Sequence, residues 1–165
     1  MRPRPFILFV LLALIGTIFV LLTIEQLPER VVSHFGSDAD PDGWMTRGSY
    51  LGFMMSFLLV YPVLIAFLIG FLPRVKPEWV NLPNRDYWLA PERREESLKF
   101  LSAQGYWFGC LLLLLVVGVH CAILAANRSH PPELPLSIFV PVLAGFLVGF
   151  SVWLVVLFRR FRKPE

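Results

Sequence analysis

Charged residues are scarce in this sequence. Asp, Glu, Lys and Arg make up 16% of the 165 residues, whereas about 25% is typical of a soluble domain, and hydrophobic residues make up 56%. The charged residues are also clustered, so that four long runs contain none of them. The segments outside these runs are too short for a separate domain with its own core. These features exclude a soluble enzyme or DNA-binding module and predict an integral membrane protein.

Cysteines are scarcer still, and the two that are present exclude an internal disulfide. Cys110 and Cys121 fall in the same apolar run. A helix there would separate them by about 16 Å along its axis, whereas a disulfide needs Cα atoms within about 7 Å. We expect both to be apolar thiols.

Each uncharged run has the length of a membrane-spanning helix, since a bilayer core about 30 Å thick needs about 20 helical residues. The predicted fold class is all-α, with four transmembrane helices in a single membrane domain over residues 1–165. A structured outer loop joins the first two spans, and an interfacial cytoplasmic segment joins the second and third. The predicted spans are 6–24, 48–72, 101–126 and 134–158, with the outer loop at 25–47 and the cytoplasmic segment at 73–100.

Lys and Arg are concentrated on one side of these spans. Twelve of the fifteen lie in the two tails or in segment 73–100, and the others are Arg30, Arg47 and Arg128. Because cytoplasmic segments carry the excess of basic residues, we predict that both termini are cytoplasmic. The net charge of +3 then reflects membrane orientation. It does not indicate a nucleic-acid partner, since the basic residues are not interleaved with stacking aromatics.

Glycines recur at every fourth position within the spans, a spacing that lets membrane helices approach closely. We interpret these pairs as packing surfaces between the chain's own helices. A homodimer face is the alternative, which leaves a homo-oligomer open. The pairs are Gly48 and Gly52, Gly105 and Gly109, and Gly145 and Gly149.

The segment between the second and third spans is rich in aromatic residues. Trp79, Tyr87 and Trp88 are of the type that settles at a membrane interface. Pro91 suits the first position of a helix, and a charged helical turn that rises into the third span is predicted to follow it. We expect this segment to lie on the lipid headgroups.

The outer loop holds residues that crossing a membrane does not require. Val31 to Phe35 can be extended, and Pro41-Asp42-Gly43 has strong turn chemistry, with Gly43 expected at positive φ. Trp44 suits an interfacial anchor just before the second span. The predicted ligand or partner-binding residues are His34, Phe35, Asp42, Gly43 and Trp44.

At these residues the sequence resembles a bacterial membrane family of unknown function, whose domain also stands at the N-terminus of Sdp-type toxin-immunity proteins. The segment from Asn81 to Arg94 looks like the one that follows the loop in longer members. Two positions depart from the family pattern, Val32 where proline is common and Ala39 where glycine is common. The elements that carry the resemblance are Leu27-Pro28, Val31, His34-Phe35, Pro41-Asp42-Gly43-Trp44 and Thr46-Arg47.

The resemblance implies a multi-pass protein of the bacterial cytoplasmic (inner) membrane with an outward-facing binding role. We predict that the outer loop recognises or senses an extracytoplasmic peptide, an envelope component or a membrane-protein partner, or gives immunity-like protection. Immunity proteins of this type carry a further membrane domain, and we expect no counterpart of it in this chain. The lipid bilayer is the other predicted partner. No cofactor is predicted.

An outward-facing metal site is the alternative function. His34, His120 and His130 all fall on or near the predicted outer side, which permits such a site. The chain has no His-x-x-x-His or Cys-x-x-Cys spacing, so no metal ligand and no catalytic residue is assigned, and we favour a non-enzyme. A transport pathway is disfavoured because Gln104 and His120 are nearly the only strongly polar residues within the spans.

Overall fold

A computed structural model describes residues 4–162 of the chain. Arg2 and Lys163, which contribute to the predicted orientation, lie outside the described residues. The protein is mostly helical, and four helices are long and apolar enough to cross a membrane. These candidate spans are Arg4–Gln26, Arg47–Val75, Pro91–Ala126 and Leu136–Arg160, which confirms the prediction of a four-span membrane protein.

A two-stranded β-hairpin interrupts the helical order between the first two spans. Short 3-10 turns lie at Ile24–Gln26 and Pro77–Trp79. In chain order, the helices and strands are α1 (Arg4–Thr23), β1 (Arg30–Phe35), β2 (Pro41–Thr46), α2 (Arg47–Met55), α3 (Tyr61–Gly70), α4 (Leu72–Val75), α5 (Arg85–Trp88), α6 (Pro91–Ala126) and α7 (Leu136–Arg160).

The second span is not a uniform α-helix. Between α2 and α3 it widens into a π-helical turn at Ser56–Val60, and Pro62 follows at the start of α3. Proline removes a backbone N–H and its ring crowds the preceding turn. A π-turn is one way a membrane helix adjusts to proline.

Helix α6 is the centre of the bundle. It begins at Pro91, as the sequence predicts, and at 36 residues is about 54 Å long, well beyond the thickness of a bilayer core. Its first turns carry the Glu95–Lys99 ion pair, with Nζ and Oε1 2.6 Å apart. Helices α1, α3 and α7 all pack against α6. No residue of α7 is buried, so α7 lies at the periphery of the bundle.

The glycines differ in how closely other atoms surround them. A Cβ added to Gly105 would lie 2.7 Å from the carbonyl oxygen of Ala66, so α3 and α6 meet backbone to backbone there. A Cβ on Gly109 would lie 2.6 Å from the Phe9 ring, and one on Gly149 would lie 2.7 Å from Leu111. At three other glycines an added Cβ would meet nothing within 4 Å, so at these the described chain offers no close helix approach: Gly48, Gly52 and Gly145.

The bundle end opposite the hairpin is closed by the end of α7. Phe161 is fully buried there, and its carbonyl oxygen accepts bonds from Trp88 Nε1 and Asn84 Nδ2, both 3.0 Å away. The Arg160 guanidinium lies 4.3 Å from the Trp88 ring centroid and 2.9 Å from Glu96 Oε1. The aromatic segment therefore packs against protein.

Candidate functional site: the β-hairpin

Strands β1 and β2 form an antiparallel hairpin in which Val32 pairs with Trp44 and His34 pairs with Gly43. The extended conformation expected for Val31 to Phe35 is confirmed. The predicted turn at Pro41-Asp42-Gly43 is wrong, because these residues begin β2 and no described glycine has positive φ.

The turn lies earlier in the chain, between Gly36 and Asp40. The backbone N–H of Gly36 donates to the Asp40 carbonyl over 2.8 Å, and that of Ala39 donates to the Gly36 carbonyl over 3.0 Å. Ala39 has φ of 67°, a left-handed conformation that favours glycine. This is the position where the resembled family commonly has glycine. The backbone therefore has the left-handed conformation that favours glycine, although the residue is alanine.

The half of the hairpin nearest the membrane helices, which we term the root (residues 30–32 and 44–46), is held by burial. Val31 is fully buried within the main hydrophobic core, together with Ile24 and Tyr50. Val32 on the opposite face of β1 is only 3% exposed. Since neighbouring strand residues point to opposite sides, β1 is covered on both faces at Val31 and Val32.

Asn127, just beyond the end of α6, binds the root through its side-chain amide. Its Oδ1 accepts from the N–H of Val32, and its Nδ2 donates to the carbonyl of Val32, each over 2.9 Å. Nδ2 also donates to the Ile123 carbonyl over 2.9 Å. The side chain thus pairs with β1 as a neighbouring strand would and joins it to the central helix.

Arg47, the first residue of α2, ties the preceding connection to the root. Its guanidinium lies 2.9 Å from Glu25 Oε2 and 2.6 Å from Glu29 Oε1, and it donates to the Leu27 carbonyl over 3.3 Å. The Thr46 hydroxyl caps α2 by accepting from the N–H of Ser49. These bonds fix where the hairpin leaves the membrane helices.

The half of the hairpin farther from the helices, which we term the tip (residues 33–43), carries an exposed polar pair. His34 Nδ1 lies 2.5 Å from Asp42 Oδ1, and the two side chains are 73% and 52% exposed. The strand register is irregular on both sides of His34. A Cβ on Gly43 would lie only 2.7 Å from the His34 Cβ, so glycine lets the two strands approach closely beside the pair.

The other two predicted binding residues occupy different environments. Phe35 is half-buried and packs against the main core, so its ring holds β1 to the bundle. Trp44 is 47% exposed, and the Arg30 guanidinium lies 5.4 Å from its ring centroid. The hairpin therefore presents an imidazole–carboxylate pair at the tip. At the root it presents a tryptophan ring with an arginine guanidinium over one face.

The three histidines do not gather at one place. His120 is fully buried, with Nε2 2.8 Å from Thr23 Oγ1 and Nδ1 2.9 Å from Tyr50 Oη, so it links α6 to α1 and α2. His130 is exposed in the α6–α7 connection. Within residues 4–162, no group of three His, Cys, Asp or Glu side chains is placed to hold a metal ion.

Sequence reasoning missed the residues that position the site. Asn127 follows an apolar helix, and its type indicates only a helix end. The sequence identifies Arg47 only as part of a family pattern and as a basic residue. Its ion pairs with two glutamates are not predicted. Their roles depend on contacts with residues 18 to 95 positions away, for which one sequence gives no local signal.

Comparison with known proteins supports a membrane family of unknown function. Residues 11–60, which include the complete hairpin, match the family model described as "Domain of unknown function (DUF1648)". A protein of Archaeoglobus fulgidus described as uncharacterized is 28% identical over 131 residues, covering 74% of this chain and 69% of the relative. No solved structure matches the chain. The chain is thus similar to an archaeal protein and, over its first span and hairpin, to a domain of unknown function.

Proposed function

We propose that this protein is a multi-pass membrane receptor-like protein whose hairpin recognises a peptide or another envelope component outside the cell. The observation that carries this proposal is the His34–Asp42 pair. It is exposed and lies where Gly43 lets the strands approach closely, and the root beneath it is fixed by Val31, Val32 and Asn127.

The pair offers polar groups suited to a peptide ligand. Because a carboxylate can only accept, Nδ1–H of His34 donates to Asp42, which leaves imidazole Nε2 and the second carboxylate oxygen for a ligand's amides or amines. Trp44 adds a half-exposed ring for apolar side chains. A rigid hairpin loses little conformational entropy when it binds.

The proposal places the hairpin outside and both termini in the cytoplasm. Three arginines at the hairpin end all have partners: Arg47 pairs with two glutamates, Arg30 lies over Trp44, and Arg128 donates to Gln26. The opposite end carries the larger excess of basic residues, which favours its retention in the cytoplasm. Reporter fusions at Ser37 and Ser129 should score extracytoplasmic, and a fusion after Lys76 should score cytoplasmic. The opposite pattern would refute this orientation.

We propose that the protein lies in the cytoplasmic membrane of a prokaryote. The resemblance at the hairpin favours a bacterium. Immunity-like protection is one form that recognition takes, and the growth experiment below includes it. A three-histidine metal site receives no support from the positions of His120 and His130.

A growth challenge of a deletion strain with membrane-active peptides tests the proposal. The strain should show a changed sensitivity that the parent gene restores. Asp42→Ala should fail to restore it at normal membrane levels, because it removes the partner of His34. Asp40→Ala is the matched control, since the Asp40 side chain is exposed in the same loop and should be dispensable. Equal complementation by both variants would contradict recognition through the pair.

A further inference from the structure

A groove of about 830 Å³ opens between α1, α3 and α6 at the bundle end opposite the hairpin. Its volume lies within the roughly 300–1,000 Å³ that is usual for ligand pockets. Helices α1 and α3 both pack on α6. At Gly105 the α3 backbone lies directly on α6, and the groove runs beside that contact.

The wall of the groove is apolar and largely aromatic. Such a wall suits hydrocarbon chains, which have no polar atoms to satisfy. The residues that form it include Phe9, Val10, Val63, Phe67, Phe71 and Tyr106.

One end of the groove carries a positioned cation. The Nη1 group of Arg74 donates to the Gly70 carbonyl and to Ser102 Oγ, with the latter 2.6 Å away. Ser102 Oγ in turn donates to the Gly70 carbonyl over 3.1 Å. Both partners of Arg74 are neutral. No carboxylate forms an ion pair with Arg74 in the part of the chain that the structure describes.

Lys99 lies at the same end, but Glu95 already neutralises it at 2.6 Å. Among the residues that line the groove, the net positive charge is therefore that of Arg74. A guanidinium fixed through one nitrogen keeps other N–H groups for an anion, and its planar fork matches the oxygens of a phosphate.

We propose that this groove binds one anionic phospholipid, with an acyl chain along the aromatic wall and the phosphate on Arg74. The charge at the groove end complements an anionic headgroup, and the apolar wall complements its chain. Basic pockets between membrane helices are known to select anionic headgroups in this way. The site lies at the opposite end of the bundle from the hairpin and does not depend on the proposed recognition function.

Native mass spectrometry of the full chain, mixed with equal amounts of phosphatidylglycerol and phosphatidylcholine, tests the proposal. One phosphatidylglycerol should be retained over phosphatidylcholine by about fivefold, the ratio that corresponds to the ~1 kcal/mol typical of one arginine near a membrane surface. Arg74→Gln should lower that ratio to about one. Arg85→Gln is the matched control, because it removes one positive charge from the same end of the bundle and Arg85 lies outside the groove.

Two further arms separate the alternatives. Inorganic phosphate should not compete, because it lacks the acyl chain; competition would indicate an anion site only and would overturn the lipid proposal. Val10→Trp fills the apolar wall while leaving Arg74 in place, so it should abolish retention even if Arg74→Gln fails to fold. Equal retention of the two lipids by the parent, or unchanged retention in Val10→Trp, would also overturn the proposal.

Discussion

The root and the tip of the hairpin, although joined by the same two strands, are held in different ways. At the root, Val31 and Val32 are buried and Asn127 binds β1 from the end of α6. At the tip, His34 and Asp42 are exposed and contact chiefly each other. The difference shows that this small protein uses its central helix to fix the hairpin while leaving one polar pair open to solvent. Recognition should therefore depend chiefly on this exposed pair, and stability chiefly on Val31, Val32 and Asn127.

Asn127→Ala should have the largest effect on stability. It removes the bonds to Val32 and Ile123 and leaves the backbone N–H and carbonyl of Val32 without partners at a nearly buried position. The expected loss is about 2–4 kcal/mol, since each unsatisfied buried polar group costs ~1–3 kcal/mol. Thermal unfolding of the detergent-purified protein measures it. Asn127→Asp, which keeps the acceptor but not the donor, should fall between the alanine variant and the parent.

If Asn127→Ala melts like the parent, the root is held by burial alone, and the contrast between root and tip would need another explanation.

Gly43→Ala tests the boundary between the two regions. The added Cβ would lie 2.7 Å from the His34 Cβ, so the two strands must move apart at His34, which should alter the contact between its imidazole and Asp42. We expect a loss of about 1–2 kcal/mol, at the lower end of the range for overpacking because the site is exposed. The His34 imidazole resonances in NMR spectra should also shift. Unchanged resonances in the alanine variant would show that Gly43 does not set the geometry of the pair.

Ala39→Gly should stabilise the tip slightly. Ala39 has φ of 67°, a conformation that costs an L-residue roughly 1–2 kcal/mol. Glycine removes this strain but gives the unfolded chain more freedom, so the expected net gain is below about 1 kcal/mol. A rise in the melting temperature, absent in Ser37→Gly at the same turn, would support this account. A fall would show that the turn has a different shape.

The sequence predicts the four-span architecture because long apolar runs have few alternatives to membrane helices. It also predicts the extended start of the hairpin and the helix that begins at Pro91. It misplaces the turn because Pro41-Asp42-Gly43 is a favourable local turn sequence, whereas the register is set by burial of Val31 and Val32. A one-residue slip would expose one of these valines.

The candidate site is less predictable than the fold. The sequence predicts His34 and Asp42 as binding residues, but the bond between them depends on the register that places Gly43 opposite His34. The bond of Asn127 to Val32 joins residues 95 positions apart. Such pairings follow from tertiary structure, and a single sequence carries no periodicity that reports them.

The most direct test of the separation between root and tip measures complementation and melting temperature for the same set of variants. His34→Ala should lose complementation in the deletion strain while its stability changes by less than about 0.5 kcal/mol, as is usual for surface substitutions. Asn127→Ala should lower the melting temperature, and His130→Ala, at an exposed histidine on the same end of the bundle, should change neither quantity. Full complementation by His34→Ala, or a large drop in its melting temperature, would contradict this account. In it, the exposed pair at the tip recognises the ligand and the root stabilises the hairpin.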